Sequence, residues 1–503
     1  MKLMRNRKVR KEALGMNGSE DVRREWTEHL RKATGLSVTG KKAFCAYNAF
    51  IDYLEIVDEK KLELVFNEFG EDVRKEIIRN SWSESEEIKS IEEVFSNLIH
   101  GMRDGKALHI PCYKPEIIAW LEKRFGGADR KAIGGQAGII ANQLGMLGAR
   151  LVLYAPRLSK DVAEALPKNV LVPVIKERKL VFEKAIDSWE EKKESKVNWI
   201  FEFGRGLRVK LGNEEITVPR SNRFIISSPP KAIPAFKESF KKHLSELGRD
   251  ATVAIFAGYH YLQPWYENGM TYKKYLEKEL ENFMKMKRKN KRLIIHYEFV
   301  PVDFKEIEAG IVEMITKGVD SLGINEVETR EVLKSIGFQR EANEIERNEC
   351  AFTLFKGGEK LLNKLKLKRV HIHNLGYFVM LLRKGRNCPK PEKAREACLL
   401  ASIVANVRSE KGGAVKENEI RKGLEIPLSE IGFRQLEDFA ERVEWDRDLR
   451  NKIKEFDKKK FLRDGIIEMK DYYGLIVPAQ VARKPRITTG LGDTISSIAV
   501  VCG

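Results

Sequence analysis

Apolar residues along this chain fall in short runs that stop at polar or glycine-rich segments, and charged stretches with helical spacing separate the runs. AFCAYNAFID (43–52), ARLVLYAP (149–156), ATVAIFA (251–257), LIIHYEFV (293–300), VDSLGIN (319–325) and RVHIHNLGYFVML (369–381) read as buried strands, rich in β-branched and aromatic residues. Strands alternating with helical patterns predict an α/β protein whose central, mostly parallel sheet is flanked by helices. Two stretches break the rhythm. Residues 53–105 are charged and helical in pattern, an excursion from the core, and 194–228 carry alternating β-formers divided by Gly, Asn and Pro turns. The second predicts a small antiparallel β-meander, most simply part of a lid. The expected division is a helical N-terminal extension (1–40), a first strand with a first lid segment (41–110), a first part of the large domain (111–190), a second lid segment (191–232) and the rest of the large domain (233–503).

One stretch concentrates the chemistry. In TTGLGDTISS (488–497), Gly490 and Gly492 let backbone approach a ligand, and Thr494 and Ser496 lead into the apolar run IAVV. This describes a helix N-terminus facing an anion, where free N–H groups and the helix dipole stabilise charge developing on a phosphoryl group. Asp493 beside them is placed to accept the proton of an attacking hydroxyl. Phosphoryl transfer to an alcohol is the implied reaction.

Composition narrows the setting. No run of about 18 apolar residues is present, so no membrane span is expected, and the N-terminal MKLMRNRKVRKE lacks the apolar centre of a signal peptide. The protein is expected in the cytoplasm. Its six cysteines have no CxxC spacing, against a disulfide framework or a zinc site. A net charge of +18 raises nucleic-acid binding as a question. The densest basic clusters, 2–11 and 284–292, carry neither interleaved aromatics nor a recognisable nucleic-acid motif, so small anions are the expected partners.

Polar groups recur where strands end: Asn48 and Asp52, His260, His296 and Glu298, Asn325, Glu326 and Glu328, then His371 and His373. Carboxylates gathered beside a phosphate-binding turn suit Mg²⁺, which prefers oxygen ligands and keeps several waters. The glycines of IGGQAGIIANQLGM (133–146) would let backbone and Gln136 approach a hydroxylated molecule.

Together these pieces resemble a known family. AYNAFID (46–52), GGQAGIIAN (134–142), NRFI (222–225), HYEF (296–299), GINEVE (323–328), HIHNLGY (371–377) and GLGDTIS (490–496) follow the order of the archaeal ADP-dependent phosphofructokinase/glucokinase family, within the ribokinase superfamily. The resemblance implies a ribokinase-like large domain with a smaller α+β lid. It also implies transfer of the β-phosphoryl group of ADP, with Mg²⁺ or another divalent cation, to a sugar or sugar phosphate, leaving AMP. Carried over by position, Asp493 is the base and Gly490, Leu491 and Gly492 form the anion hole. Asn48, Asp52, Gly134, Gly135, Gln136 and Lys196 face the sugar; Arg223, Asn325 and His373 meet the nucleotide; His296, Glu298, Glu328 and Asp493 organise the metal. Two positions depart from the family pattern: Phe50, where an Asn is common, and His109, where the glucokinases carry Glu. The lid stretch and Lys196 resemble the phosphofructokinase branch, which makes fructose 6-phosphate the expected acceptor. Glucose, ribose 1-phosphate and a non-catalytic binding member remain as alternatives.

Overall fold

Each of the apolar runs contributes at least one strand to one large sheet. The computed structural model describes residues 16–125, 131–191, 196–212, 214–302, 304–386 and 388–503. Among them, eleven strands pair in the order Ile466–Glu468, Tyr472–Pro478, Tyr377–Arg383, Arg369–Asn374, Ser321–Asn325, Ile294–Glu298, Val253–Ala257, Lys42–Tyr47, Arg150–Tyr154, Val170–Lys176 and Lys179–Lys184. From Arg369–Asn374 to Val170–Lys176 every pairing is parallel, and the outer pairings are antiparallel. The chain runs outward in both directions from Lys42–Tyr47, so strand order reverses between it and Val253–Ala257. A crevice at the carboxyl ends of the strands is expected at such a reversal. The helix Leu491–Cys502 lies against these strands, between the helices Gln136–Met146 and Pro391–Lys411. The architecture is the ribokinase-like α/β arrangement anticipated from the sequence.

A second, five-stranded sheet stands over that end of the large one, in the order Leu108–Pro111, Asn222–Ser227, Val197–Phe203, Phe50–Ile56, Lys131–Gly134. It differs from the expected meander. Val197–Phe203 and Asn222–Ser227 do pair antiparallel, but each also has a parallel neighbour, Phe50–Ile56 and Leu108–Pro111 respectively. Arg208–Leu211 and Glu214–Thr217 pair as a separate two-stranded hairpin. The sheet also takes Lys131–Gly134 from within the segment 111–190.

The apolar run 43–52 is two strands, not one, and they belong to different sheets. The break falls at Asn48, whose carbonyl accepts from the Gly138 amide (3.1 Å) and whose side-chain Oδ1 accepts from Ala137 N (3.2 Å). Both acceptors are taken by the first turn of Gln136–Met146, which stops strand pairing there.

The predicted extension is integrated with the core. In the helix Met16–Ala33, Val22, Trp26, Leu30 and Ala33 recur at helical spacing; Trp26 is fully buried and its indole donates to the Leu462 carbonyl at 2.9 Å. The basic cluster 2–11 lies outside the described residues. No described helix is long and apolar enough to cross a membrane.

Candidate active site

The helix Leu491–Cys502 opens at Gly490, which takes φ +72°, a left-handed conformation that costs glycine little. The amide and hydroxyl of Thr494 both bond the Gly490 carbonyl, at 3.2 and 2.8 Å. First-turn amides have no carbonyl one turn earlier to bond, so those of Leu491 to Asp493 are donors for something outside the helix. The glycines also make room: a Cβ at Gly490 would stand 2.9 Å from Ile139, and one at Gly492 3.0 Å from the His373 ring. The preceding residues are clamped. Glu202, on the smaller sheet, accepts from the amides and hydroxyls of Thr488 and Thr489 at 2.8–3.1 Å. Arg223 Nη1, on the neighbouring strand of the same sheet, donates to Thr488 Oγ1 at 3.2 Å, so the smaller sheet holds the loop from two strands.

On one side of Asp493 lies a cavity of about 350 Å³, lined by Arg223, Glu298, Asn325, Glu326, Glu328 and His373 among others. Glu298 is fixed between two imidazoles, with Oε1 3.2 Å from His373 Nε2 and Oε2 3.4 Å from His296 Nε2. Burial alone would raise its carboxyl; those contacts instead hold it at about 2. Gly323 leaves the space, since a Cβ there would fall 2.0 Å from Glu298 Oε2. Asp493 is half-buried at the cavity's edge. Burial and the Glu298 charge push its carboxyl up to about 7, against Arg408, His373 and Arg223, which suits a base working near neutral pH.

Two residues expected at a metal already have partners within the protein. His296 is buried with both ring nitrogens taken, Nδ1 2.8 Å from Ser321 Oγ and Nε2 3.0 Å from Ser496 Oγ, so it acts behind Glu298. Glu328 closes a capping box with Asn325: its carboxylate accepts from Asn325 N at 2.9 Å, and Asn325 Oδ1 accepts from Glu328 N at 2.8 Å. Burial raises the Glu328 carboxyl to about 8. Among the described residues, no three His, Cys, Asp or Glu side chains converge closely enough to chelate an ion directly. The acids Glu298, Glu326, Glu328 and Asp493 nevertheless line one cavity. Such a donor set fits a hard cation held largely through its own waters.

On the other side, the smaller sheet turns one polar face to the cleft. In register, Asp52 pairs with Asn198 and Asn198 with Ser227, while Arg223 pairs with Glu202 and Ile225 with His109, which is exposed. Lys196, 4% exposed, donates to Asn198 Oδ1 at 2.7 Å and to Ser227 Oγ and the Ser228 carbonyl. Burial draws Lys196 and Asp52 both toward neutrality, and the attraction between them opposes it. The Asp52 carboxyl sits over Gly134, where a Cβ would come within 2.4 Å of it, and Gly135 (φ +73°) packs on the Asn48 carbonyl. Gln136 Nε2 donates to the Glu298 carbonyl at 3.2 Å, tying this group to the first cavity. Lys196, Asn48, Phe50, Arg157, Lys231 and Tyr261 line a second, narrower pocket of about 50 Å³. His260 stands on the turn Tyr259–Tyr261 near His109 and Lys196, away from the carboxylates. His371 is fully buried behind the site.

Because Gly134 is the surface on which Asp52 rests, Gly134→Ala should push that carboxylate aside and cost roughly 1–3 kcal/mol of overpacking. The expected kinetic result is a raised KM for the hydroxyl acceptor with the donor's KM unchanged. Equal changes for both would show that Asp52 does not serve the acceptor side.

Sequence reasoning gathered the predicted residues into two groups around Asp493, but it missed Glu202, Asn198 and Arg408. Glu202 had a signal, an acid in the otherwise apolar strand NWIFEF with the same two-residue phase as Asn198. Arg408 had none; it is one of many charged residues on a long helix.

Residues 41–502 match the family model described as the ADP-specific phosphofructokinase/glucokinase conserved region. An ADP-specific phosphofructokinase of Methanosarcina acetivorans is 32% identical over 467 residues, covering 91% of this chain and 92% of that protein. An ADP-dependent glucose/glucosamine kinase of Pyrococcus furiosus is 28% identical, covering 95% and 98%. Among solved structures, an ADP-dependent kinase in complex with fructose 6-phosphate and ADPβS superposes with a TM-score of 0.79 at 33% identity, covering 95% of this chain and 97% of that one.

Proposed function

We propose, for a chain that belongs to the ADP-specific phosphofructokinase/glucokinase family, that it transfers the β-phosphoryl group of ADP to a hydroxyl of fructose 6-phosphate, releasing AMP. The observation that carries the acceptor is Lys196: a buried side chain in a pocket it shares with Arg157 and Lys231, distinct from the acid-lined cavity at Asp493. Asn198, Ser227 and Ser228 hold this ammonium in place, and with Arg157 and Lys231 on the same pocket it gives a cationic lining that suits a sugar phosphate better than a neutral sugar. The resemblance to the phosphofructokinase branch supports the same choice.

In this reading Arg223, Asn325 and His373 receive the nucleotide, while Asn48, Asp52 and Gln136 orient the sugar. The attacking hydroxyl oxygen bonds to the β-phosphorus as the bond to the bridging oxygen breaks and its electron pair leaves with AMP. Asp493 takes the hydroxyl proton. Amides at the head of Leu491–Cys502 accept the charge that develops on the phosphoryl oxygens. Glu298 and Glu328 would hold a divalent cation through water. When bound, such an ion neutralises phosphate charge. The pair His296 and His373 keeps Glu298 ionised and aimed.

The test compares kcat/KM across sugars and donors. Fructose 6-phosphate should exceed glucose, and ADP should exceed ATP by at least about tenfold, or about 1.4 kcal/mol, because a cavity that sets a β-phosphoryl at Asp493 leaves no productive place for a third phosphate. Faster turnover of glucose, or equal use of ATP, would overturn the corresponding half.

A further inference from the structure

Arg408 lies on the helix Pro391–Lys411 with its guanidinium turned inward. It is 6% exposed, and its Nη2 lies 3.3 Å from where a Cβ would stand on Gly490. Neither Nε nor Nη1 meets a hydrogen-bond partner among the described residues, although both are buried. Buried donors left without an acceptor are disfavoured, so their retention calls for acceptor oxygens that arrive from outside the protein. The backbone beside it is rigid: Ser409 Oγ donates to the Ile487 carbonyl at 2.7 Å, and the Ser409 carbonyl accepts from the amides of Arg486 and Ile487. The acids whose charges reach it are Asp493 and Asp52, one from each side of the cleft.

We propose that Arg408 completes the anion hole, its unpartnered N–H groups receiving oxygens of the β-phosphoryl group as that group passes from AMP to the sugar. The helix amides approach the phosphoryl group from one direction, and the planar fork of Arg408 supplies donors from the side of Gly490. Charge in this transfer is spread over three equatorial oxygens, which a multi-donor cation matches better than amides alone. Bond changes are those given above, and Arg408 neither gains nor loses a proton. The inference rests on the phosphoryl-transfer reading.

The experiment measures AMP release from ADP and fructose 6-phosphate by wild type, Arg408→Met and Arg408→Lys, with kcat and each KM resolved. Wild-type activity is the control for the underlying reading: without it that reading fails, and this inference with it. Given an active wild type, Arg408→Met should lose about 10²- to 10³-fold in kcat, the effect of removing a preorganised donor to a developing anion. Both KM values should stay within about threefold, and added guanidinium ion should restore part of the rate. A kcat within about threefold of wild type, or a loss that guanidinium does not relieve, would overturn the proposal. Should the methionine variant not fold, Arg408→Lys decides: a kcat at least about tenfold lower with unchanged KM values supports the proposal, and an unchanged kcat overturns it.

Discussion

Asp493→Asn is expected to lower kcat by roughly 10²- to 10⁴-fold, the usual contribution of a positioned general base, while ADP still binds. The amide keeps the size and polarity of the carboxyl, so the turn at Gly490 and the Thr494 contacts to it survive. What disappears is the acceptor for the hydroxyl proton. Burial and Glu298 already place this carboxyl at about 7, so the native group is poised to take that proton at neutral pH. Kinetics together with ADP titration by calorimetry would check it. A variant retaining more than about a tenth of the rate, a loss under ~1.4 kcal/mol, would remove Asp493 from the mechanism.

Lys196→Ala carries the second large effect. If the ammonium binds the sugar phosphate, its loss removes a charge-assisted contact of about 1.5–3 kcal/mol, or roughly 10- to 150-fold in kcat/KM for fructose 6-phosphate. Glucose has no phosphate to lose. Lys196 also neighbours Asp52, which lies on the acceptor side, so a modest loss for any sugar is expected. The discriminating quantity is therefore the ratio, which should fall at least about tenfold against fructose 6-phosphate. Equal losses for both sugars would assign Lys196 to the lid rather than to the phosphate.

Features legible in the sequence were those written locally. GLGD announces a glycine turn and a first-turn acid within four residues, and HYEF places Glu298 at the end of an apolar strand. The structure keeps both. Features that depend on distant contacts were not legible. Apolar residues resume directly after Asn48, so the run reads as one strand and the change of sheet is not visible there; the cause is the first turn of Gln136–Met146, 88 residues along in the Asn48–Gln136 contact. Glu202 grips Thr488 and Thr489 across 286 and 287 residues. His296 shows a second kind of distant dependence. Its position beside Glu298 suggested a ligand, but Ser321 and Ser496, from two other elements, occupy both of its nitrogens. Spacing alone does not tell a metal ligand from the residue that supports one.

Product analysis tests the central claim most directly. Purified protein incubated with ADP, Mg²⁺ and fructose 6-phosphate, and followed by ³¹P NMR, should form AMP and a fructose bisphosphate in equal amounts at the expense of ADP, with no inorganic phosphate released. ADP left intact in the presence of fructose 6-phosphate, or inorganic phosphate appearing without a sugar bisphosphate, would contradict the account.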